Sequence, residues 1–162
     1  MTRLLVIDDH AVVRQGLVQA FHENGFTSIE SAGTLSQARA KIAAFNPEAI
    51  IVDLNLPDGS GLEIVQWVRK HSTDVVIIVL SLSDPMQYVK IARNSGANAY
   101  LSKSQSMQEI IASVRFALSN PGSFTSALII DQSVEFVLTP REIEVVYLLA
   151  EGASNLEISS RL

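Results

Sequence analysis

Cysteine is absent from the 162 residues, which removes disulfides and thiolate chemistry and suits a reducing compartment, so a cytoplasmic location is expected. Long apolar runs are missing too: none approaches the roughly 20 residues that cross a bilayer, and no membrane partner is expected. Met1-Thr2-Arg3 leads directly into a strand-like run, without the n-region, long h-region and small-residue cleavage site of a secretory signal. Positive charge is scarce. The net charge is −5, and after residue 120 only Arg141 and Arg161 are basic. That is the wrong sign and far too little for a surface that binds nucleic acid by neutralising phosphates, so any DNA-binding function is expected in residues beyond those present. What the chain does have is 48% apolar and 18% charged residues, the make-up of a soluble globular protein. Its length allows one well-packed domain of ordinary size and a remainder too short for a second full one.

Short β-branched runs alternate with longer amphipathic stretches. The runs are Leu4–Ile7, Ser28–Glu30, Ala49–Val52, Val75–Leu80 and Ala99–Leu101. Helices are expected near Ala11–Glu23, Ser36–Phe45, Leu62–His71, Pro85–Asn94 and Met107–Ser119. Thr34 with Gln37, Asp84-Pro85 with Gln87, and Ser106 with Glu109 match the helix-start pattern of a capping side chain answered three residues later. A run such as Val75-Val76-Ile77-Ile78-Val79-Leu80 is that of a parallel strand buried on both faces. Strict βα alternation, five times over, predicts a doubly wound α/β sandwich with right-handed crossovers. From Asn120 to Leu138 the alternation breaks. Asn120-Pro121-Gly122-Ser123 signals a turn, while Ala127–Ile130 and Val134–Val137 are too apolar for a freely solvated linker. Thr139-Pro140-Arg141-Glu142 then forms a capping box that opens a helix with Ile143, Val146, Leu149 and Ala150 on one stripe. Gly152 ends that helix, and Ser154 with Glu157 caps another.

Chemistry lies where polar residues interrupt the strands. Asp8 and Asp9 follow the first strand, Asp53 ends the third, Ser81 ends the fourth, and Lys103 stands two residues past the fifth. In an open parallel sheet these points share the C-terminal edge, where such sheets place ligands. With strand order 2-1-3-4-5 the first and third strands are neighbours, and the three aspartates converge. Ionised carboxylates that close together need a counter-charge. A hard, oxygen-seeking divalent cation resolves this, and Mg²⁺ is expected because it keeps waters free for a phosphate. The Lys103 ammonium and Ser81 hydroxyl would donate to phosphoryl oxygens, which makes the set suited to phosphoryl transfer onto an aspartate. Taken alone, an Asp-Asp pair after a strand is a turn and a helix cap, and Ser81 is an ordinary strand-end hydroxyl. It is the assembly at one edge that carries the functional reading. Tyr100 alone reads as a half-buried strand aromatic, Trp67 as a packing residue, and His10, His22 and His71 as surface or structural histidines without metal-ligand spacing.

Asp8-Asp9, the stretch Asp53-Leu-Asn-Leu-Pro57-Asp-Gly-Ser-Gly61, Ser81 and Lys103 resemble the receiver domain of bacterial two-component response regulators. Val13-Arg14-Gln15-Gly16-Leu17, Gly96–Lys103 and Leu138–Glu142 resemble the NarL/FixJ class, which carries a LuxR-type helix-turn-helix. The resemblance implies a flavodoxin-like (βα)5 receiver over residues 1–119, a linker over 120–138 and a truncated helix-turn-helix domain over 139–162. Asp53 would accept a phosphoryl group from a sensor histidine kinase. Asp9 and Asp53 would ligate Mg²⁺ directly with the backbone carbonyl of Asn55, and Asp8 would act through metal-bound water. Lys103 would pair with the phosphoryl group, Ser81 would swing toward it, and Tyr100 would be the switch aromatic that moves with Ser81. Dimerisation on phosphorylation, most often through first- and fifth-helix surfaces, is expected from the family.

Two departures from the family pattern stand out. Leu82 occupies a position where relatives carry a small residue, and its bulk would narrow access to Asp53. Leu156 and Ser159 replace a basic residue and an alanine. A LuxR-type domain has four helices, the third entering the major groove; here the chain stops in the second. The intact capping boxes favour a piece of a longer transcription factor over a protein that has lost DNA binding. Two rival functions remain. One is a receiver-like interaction platform that is never phosphorylated. The other is a phosphatase with an aspartyl-phosphate intermediate, which usually places a second aspartate where Asn55 stands.

Overall fold

The β-branched runs become the parallel strands of one central sheet in the structure, a computed structural model that describes residues 1–82 and 86–126. In chain order the elements are β1 (Arg3–Ile7), α1 (Ala11–Glu23), β2 (Ser28–Ala32), α2 (Leu35–Phe45), β3 (Ala49–Asp53) and the two short strands β4 (Asn55–Leu56) and β5 (Gly59–Ser60). There follow α3 (Gly61–Arg69), β6 (Val76–Ser81), α4 (Met86–Ser95), β7 (Ala99–Ser102), α5 (Met107–Ser119) and β8 (Thr125–Ser126). The sheet order is β2-β1-β3-β6-β7-β8, and every neighbouring pair in it is parallel. On the five long strands this is the expected 2-1-3-4-5 arrangement.

Burial on both faces explains the unbroken apolar runs. Every residue of β3 and β6 is buried. Because alternate strand residues point to opposite faces, the sheet carries two cores. Leu5, Ile7, Ile50, Val52, Ile77 and Val79 meet Leu35 and Ala38 of α2, Val65 and Val68 of α3, and Val89 and Ala92 of α4. Leu4, Val6, Ala49, Ile51, Ile78 and Leu80 meet Leu17 and Phe21 of α1 and Ile110, Val114 and Ala117 of α5. Burying one such side chain contributes about 1.5–3 kcal/mol, so the alternation outweighs the modest intrinsic preferences of any single strand. Trp67 packs, partly buried, against the first of these cores.

The long elements fall within two residues of their expected bounds. Caps explain the sharpness of several starts: the Thr34 hydroxyl accepts from the Gln37 backbone N–H, and Ser106 with Glu109 forms a complete capping box. A second capping box, Ser60 with Glu63, opens α3. Two features depart from expectation. A hairpin, β4–β5, follows β3, and β8 extends the sheet by a sixth strand inside the stretch read as linker. The turn read at Asn120-Pro121-Gly122-Ser123 is present, closed by the Ser123 N–H donating to the Asn120 carbonyl at 3.0 Å. The helix start at Asp84-Pro85, the apolar runs after residue 126, the capping boxes at Thr139 and Ser154, and Leu156 and Ser159 lie outside the described residues.

Candidate functional site

The C-terminal ends of β1, β3, β6 and β7 are adjacent in the sheet, and each delivers a polar side chain at the point where its apolar run stops. Register fixes the neighbours: Ile7 pairs with Val52 across β1 and β3, so Asp8 and Asp53 leave adjacent strands at the same level. Ser81 pairs with Ser102 across β6 and β7, and the Ser81 carbonyl accepts from the Lys103 backbone N–H at 2.8 Å. Gly61 anchors the same corner. Its N–H donates to the Leu54 carbonyl at 2.8 Å, and a Cβ there would collide with the Asp53 carbonyl oxygen. Only glycine lets α3 start this close to the end of β3.

Asp8 and Asp53 are 1% and 4% exposed, an unusual burial for carboxylates. The Lys103 ammonium lies between them, 2.7 Å from Asp8 Oδ2 and 2.9 Å from Asp53 Oδ2. Only the Asp53 contact has the alignment of a hydrogen bond; Asp8 Oδ2 is buried without a directed one, so its link to Lys103 is ionic. The other Asp8 oxygen accepts from the His10 backbone N–H at 2.8 Å, and Asp53 Oδ1 accepts from the Asn55 backbone N–H at 3.2 Å. Arg14 holds the loop by donating to the Asp8 carbonyl at 2.6 Å. Asp9, the third carboxylate, is exposed. The cluster therefore holds three carboxylates, and the Lys103 ammonium is paired with two of them, which leaves a local excess of negative charge.

Burial pushes the Asp53 carboxyl above its ordinary value, and the hydrogen bond and charge of Lys103 only partly offset that rise. Burial pushes the Lys103 ammonium down, but its contacts with Asp8 and Asp53 prevail, and its pKa is raised. A group buried at a cost, short of partners and at a sheet edge where ligands bind has the marks of a site rather than of a structural ion pair.

Asp8, Asp9, His10 and Asp53 each offer one ligand atom, and these atoms all lie within 4.8 Å of one another. The convergence of aspartates expected from the sequence is therefore present, and it has a member read there as a surface histidine without metal-ligand spacing. The His10 ring Nδ1 sits 3.0 Å from Asp9 Oδ1 and 3.3 Å from Asp8 Oδ1. His10 is the N-cap of α1, yet its side chain makes no capping hydrogen bond and turns to the carboxylates instead. A donor set of three carboxylates, one of them with a buried oxygen that lacks a directed hydrogen bond, fits a hard divalent cation.

The remaining candidates flank this cluster. Ser81 is buried at the end of β6, and Tyr100, 2% exposed, lies within the core that faces α2, α3 and α4. Leu82, beside Ser81, is 73% exposed. Asp58, in the β4–β5 turn, was not anticipated. Its two oxygens accept from the backbone N–H groups of Leu35 at 2.7 Å and Ser36 at 3.1 Å, capping α2 from across the chain.

The response regulator receiver domain family matches residues 4–115 of this chain. The chain belongs to that family. The chain is 29% identical over 170 residues to the transcriptional regulatory protein MctR of Rhizobium johnstonii, covering 99% of this chain and 78% of that one. It is 25% identical over 165 residues to the DNA-binding transcriptional activator EvgA of Escherichia coli, covering 98% and 81%. Among solved structures, a two-component response regulator from Clostridium difficile is 28% identical with a TM-score of 0.70, covering 76% of this chain and all of that one. A LuxR-family response regulator from Aurantimonas sp. SI85-9A1 has a TM-score of 0.73 at 21% identity, covering 80% and 93%, and speaks for the fold alone. The receiver fold and the acidic cluster at its sheet edge are thus established together. Among the described residues no helix is long and apolar enough to cross a membrane.

Proposed function

We propose that this receiver is phosphorylated on Asp53 by a sensor histidine kinase and thereby controls transcription through a C-terminal DNA-binding domain. The observation that carries the reading is the Lys103 ammonium held between two buried carboxylates that end adjacent strands. Asp53 Oδ would attack the phosphorus of a phosphohistidine, forming a P–O bond as the P–N bond breaks and leaving an acyl phosphate on Asp53. Lys103 would move its hydrogen bond from the carboxylate to a phosphoryl oxygen, so a charged donor is in place where charge arrives. Ser81, at the neighbouring strand end, would supply a second donor, and Tyr100 would shift its packing as Ser81 moves.

Asp9, Asp53 and the backbone carbonyl of Asn55 are the groups that would hold Mg²⁺ directly, with Asp8 behind them. When bound, the ion offsets the carboxylate excess and the charge of the incoming phosphoryl group. Residues 1–119 would act as the receiver, 120–138 as the linker and 139–162 as the start of a LuxR-type helix-turn-helix, with a phosphorylation-dependent homodimer as the active form. The names of the relatives, transcriptional regulators such as MctR and EvgA, support the output. A cytoplasmic location follows from that role.

Acetyl phosphate with Mg²⁺ tests the phosphoacceptor reading. The expected result is a mass gain of one phosphoryl group, absent without divalent cation and absent in Asp53→Asn. No gain in the wild type would leave the interaction-platform reading in its place, and turnover of a small phosphoester would favour the phosphatase.

A further inference from the structure

The β7 edge of the sheet is filled by the chain's own linker, and the fit is specific. Ala99 pairs with Thr125 and Tyr100 with Ser126, both in parallel register. Asn98, the residue before β7, organises the contact. Its carbonyl accepts from the Thr125 N–H at 3.0 Å, and its side-chain Nδ2 donates to the Pro121 carbonyl at 2.8 Å. The other end of the same amide faces the body of the receiver, where Oδ1 accepts from the Ile77 N–H at 2.8 Å and from Arg69 Nη2 at 2.9 Å. Two donors on one side and a carbonyl on the other fix which way the amide points. Phe124 packs, partly buried, against the α2–α3–α4 core, under the Arg93 guanidinium at 5.8 Å, and Ser126 is 3% exposed.

The pairing is two residues long and the whole contact is confined to one six-residue segment, a unit that can open locally while the rest of the domain stays folded. An open strand edge is a template for another strand. The next residues in the sequence, Ala127-Leu128-Ile129-Ile130, continue the segment as an apolar run. The connection from α5 is short and turns on Pro121-Gly122, and a short hinge allows an identical segment to dock in trans with the same contacts it makes in cis.

We propose that residues 121–126 are a releasable latch on the β7 edge, keyed by Asn98, and that on release the edge takes the same segment of a second copy of this chain. Neither part requires phosphorylation of Asp53, so the proposal stands or falls apart from the function above.

Thr125→Pro removes the N–H that Asn98 accepts from and weakens the latch without touching the edge. Asn98→Asp keeps the acceptor for Ile77 and Arg69 but turns an oxygen toward the Pro121 carbonyl, so it damages the edge side alone. Binding of a fluorescent peptide spanning residues 119–128 is measured by anisotropy on the full chain, with thermal unfolding confirming that each variant is folded. The expected result is binding to Thr125→Pro at least tenfold tighter than to the wild type, and loss of that binding when Asn98→Asp is added. Deleting Gly122 shortens the hinge so that the segment no longer reaches its own edge, and should give a dimer in sedimentation that Asn98→Asp abolishes; a monomer overturns the exchange. Peptide binding to neither protein, equal binding to both, or binding that survives Asn98→Asp overturns the proposal.

Discussion

Strand β7 has buried polar chemistry at both ends, and the two ends are built on opposite lines. At its start, Asn98 is neutral and answered on every side, by Ile77, Arg69, Pro121 and Thr125. At its end, Lys103 is shared between two buried carboxylates, one of which has an oxygen without a directed hydrogen bond. A satisfied neutral network holds parts of a fold together, whereas a buried charge cluster with too few partners persists only where something else is to be bound. The first is architecture, and the second has the marks of a site. That distinction rests on partners, not on burial, because Asn98 at 7% exposed is nearly as enclosed as Asp53 at 4%.

The contrast can be broken by removing the shared cation. Lys103→Met leaves two buried carboxylates facing each other with no ammonium, and should cost about 3 kcal/mol in denaturant unfolding near neutral pH. It should also push the Asp53 carboxyl higher still. A loss near zero would mean that Lys103 contributes nothing to holding the charged end together. At the other end of β7, Asn98→Ala strips partners from Ile77, Arg69 and Pro121 together and should cost about 2 kcal/mol, with no dependence on pH between 4 and 8. Strong pH dependence there would contradict its assignment as a neutral structural network.

Asp53→Asn should act in the opposite direction. Burial raises the Asp53 carboxyl above its unfolded value near 3.8. The folded state therefore holds that proton more tightly, and stability falls as pH rises from the unfolded value through the raised folded one. Above that window the ionised group is a standing cost, and the asparagine variant should be more stable than the wild type in metal-free buffer. The gain should vanish below the window, and an equal gain at every pH would contradict the cause.

Asp58→Ala sharpens the comparison with a carboxylate of the structural kind. The slight burial that would raise Asp58 is outweighed by backbone N–H groups, those of Leu35 and Ser36 foremost, and its pKa is lowered. Its contribution is present above the ordinary value and is lost as pH falls through the lowered one. The substitution should cost about 1 kcal/mol as the loss of a helix cap, and leave phosphorylation unchanged. The smallest effect is expected from Leu82→Ala: a few-fold faster gain of phosphate from small donors, and faster loss to water, with equal rates disposing of the steric role of Leu82.

The divide between what the sequence showed and what it hid follows the range of the interactions. The parallel strands and their helices were legible because burial on two faces imposes runs such as Val76–Leu80 and caps such as Ser106 with Glu109, all local signals. The edge residues Asp8, Asp9, Asp53, Ser81 and Lys103 were legible because polar residues there interrupt those runs at equivalent ends. The two-residue strands of the β4–β5 hairpin and β8 carry no periodicity, since two positions cannot show one; pairing across the chain creates them. Asp58 caps a helix 23 residues away, which no spacing rule detects. His10 carries no local signal of its role, because its meeting with Asp8 and Asp9 arises from the loop that turns its ring away from the α1 terminus, not from a ligand spacing.

The central claim is that residue 53, and no other carboxylate of the cluster, receives the phosphoryl group. Borohydride reduction after incubation with acetyl phosphate and Mg²⁺ addresses it directly, because reduction converts an aspartyl phosphate to homoserine, and peptide mass spectrometry locates that residue. The account predicts homoserine at position 53 and at no other. Homoserine at position 8 or 9, or at none of the three, would contradict it.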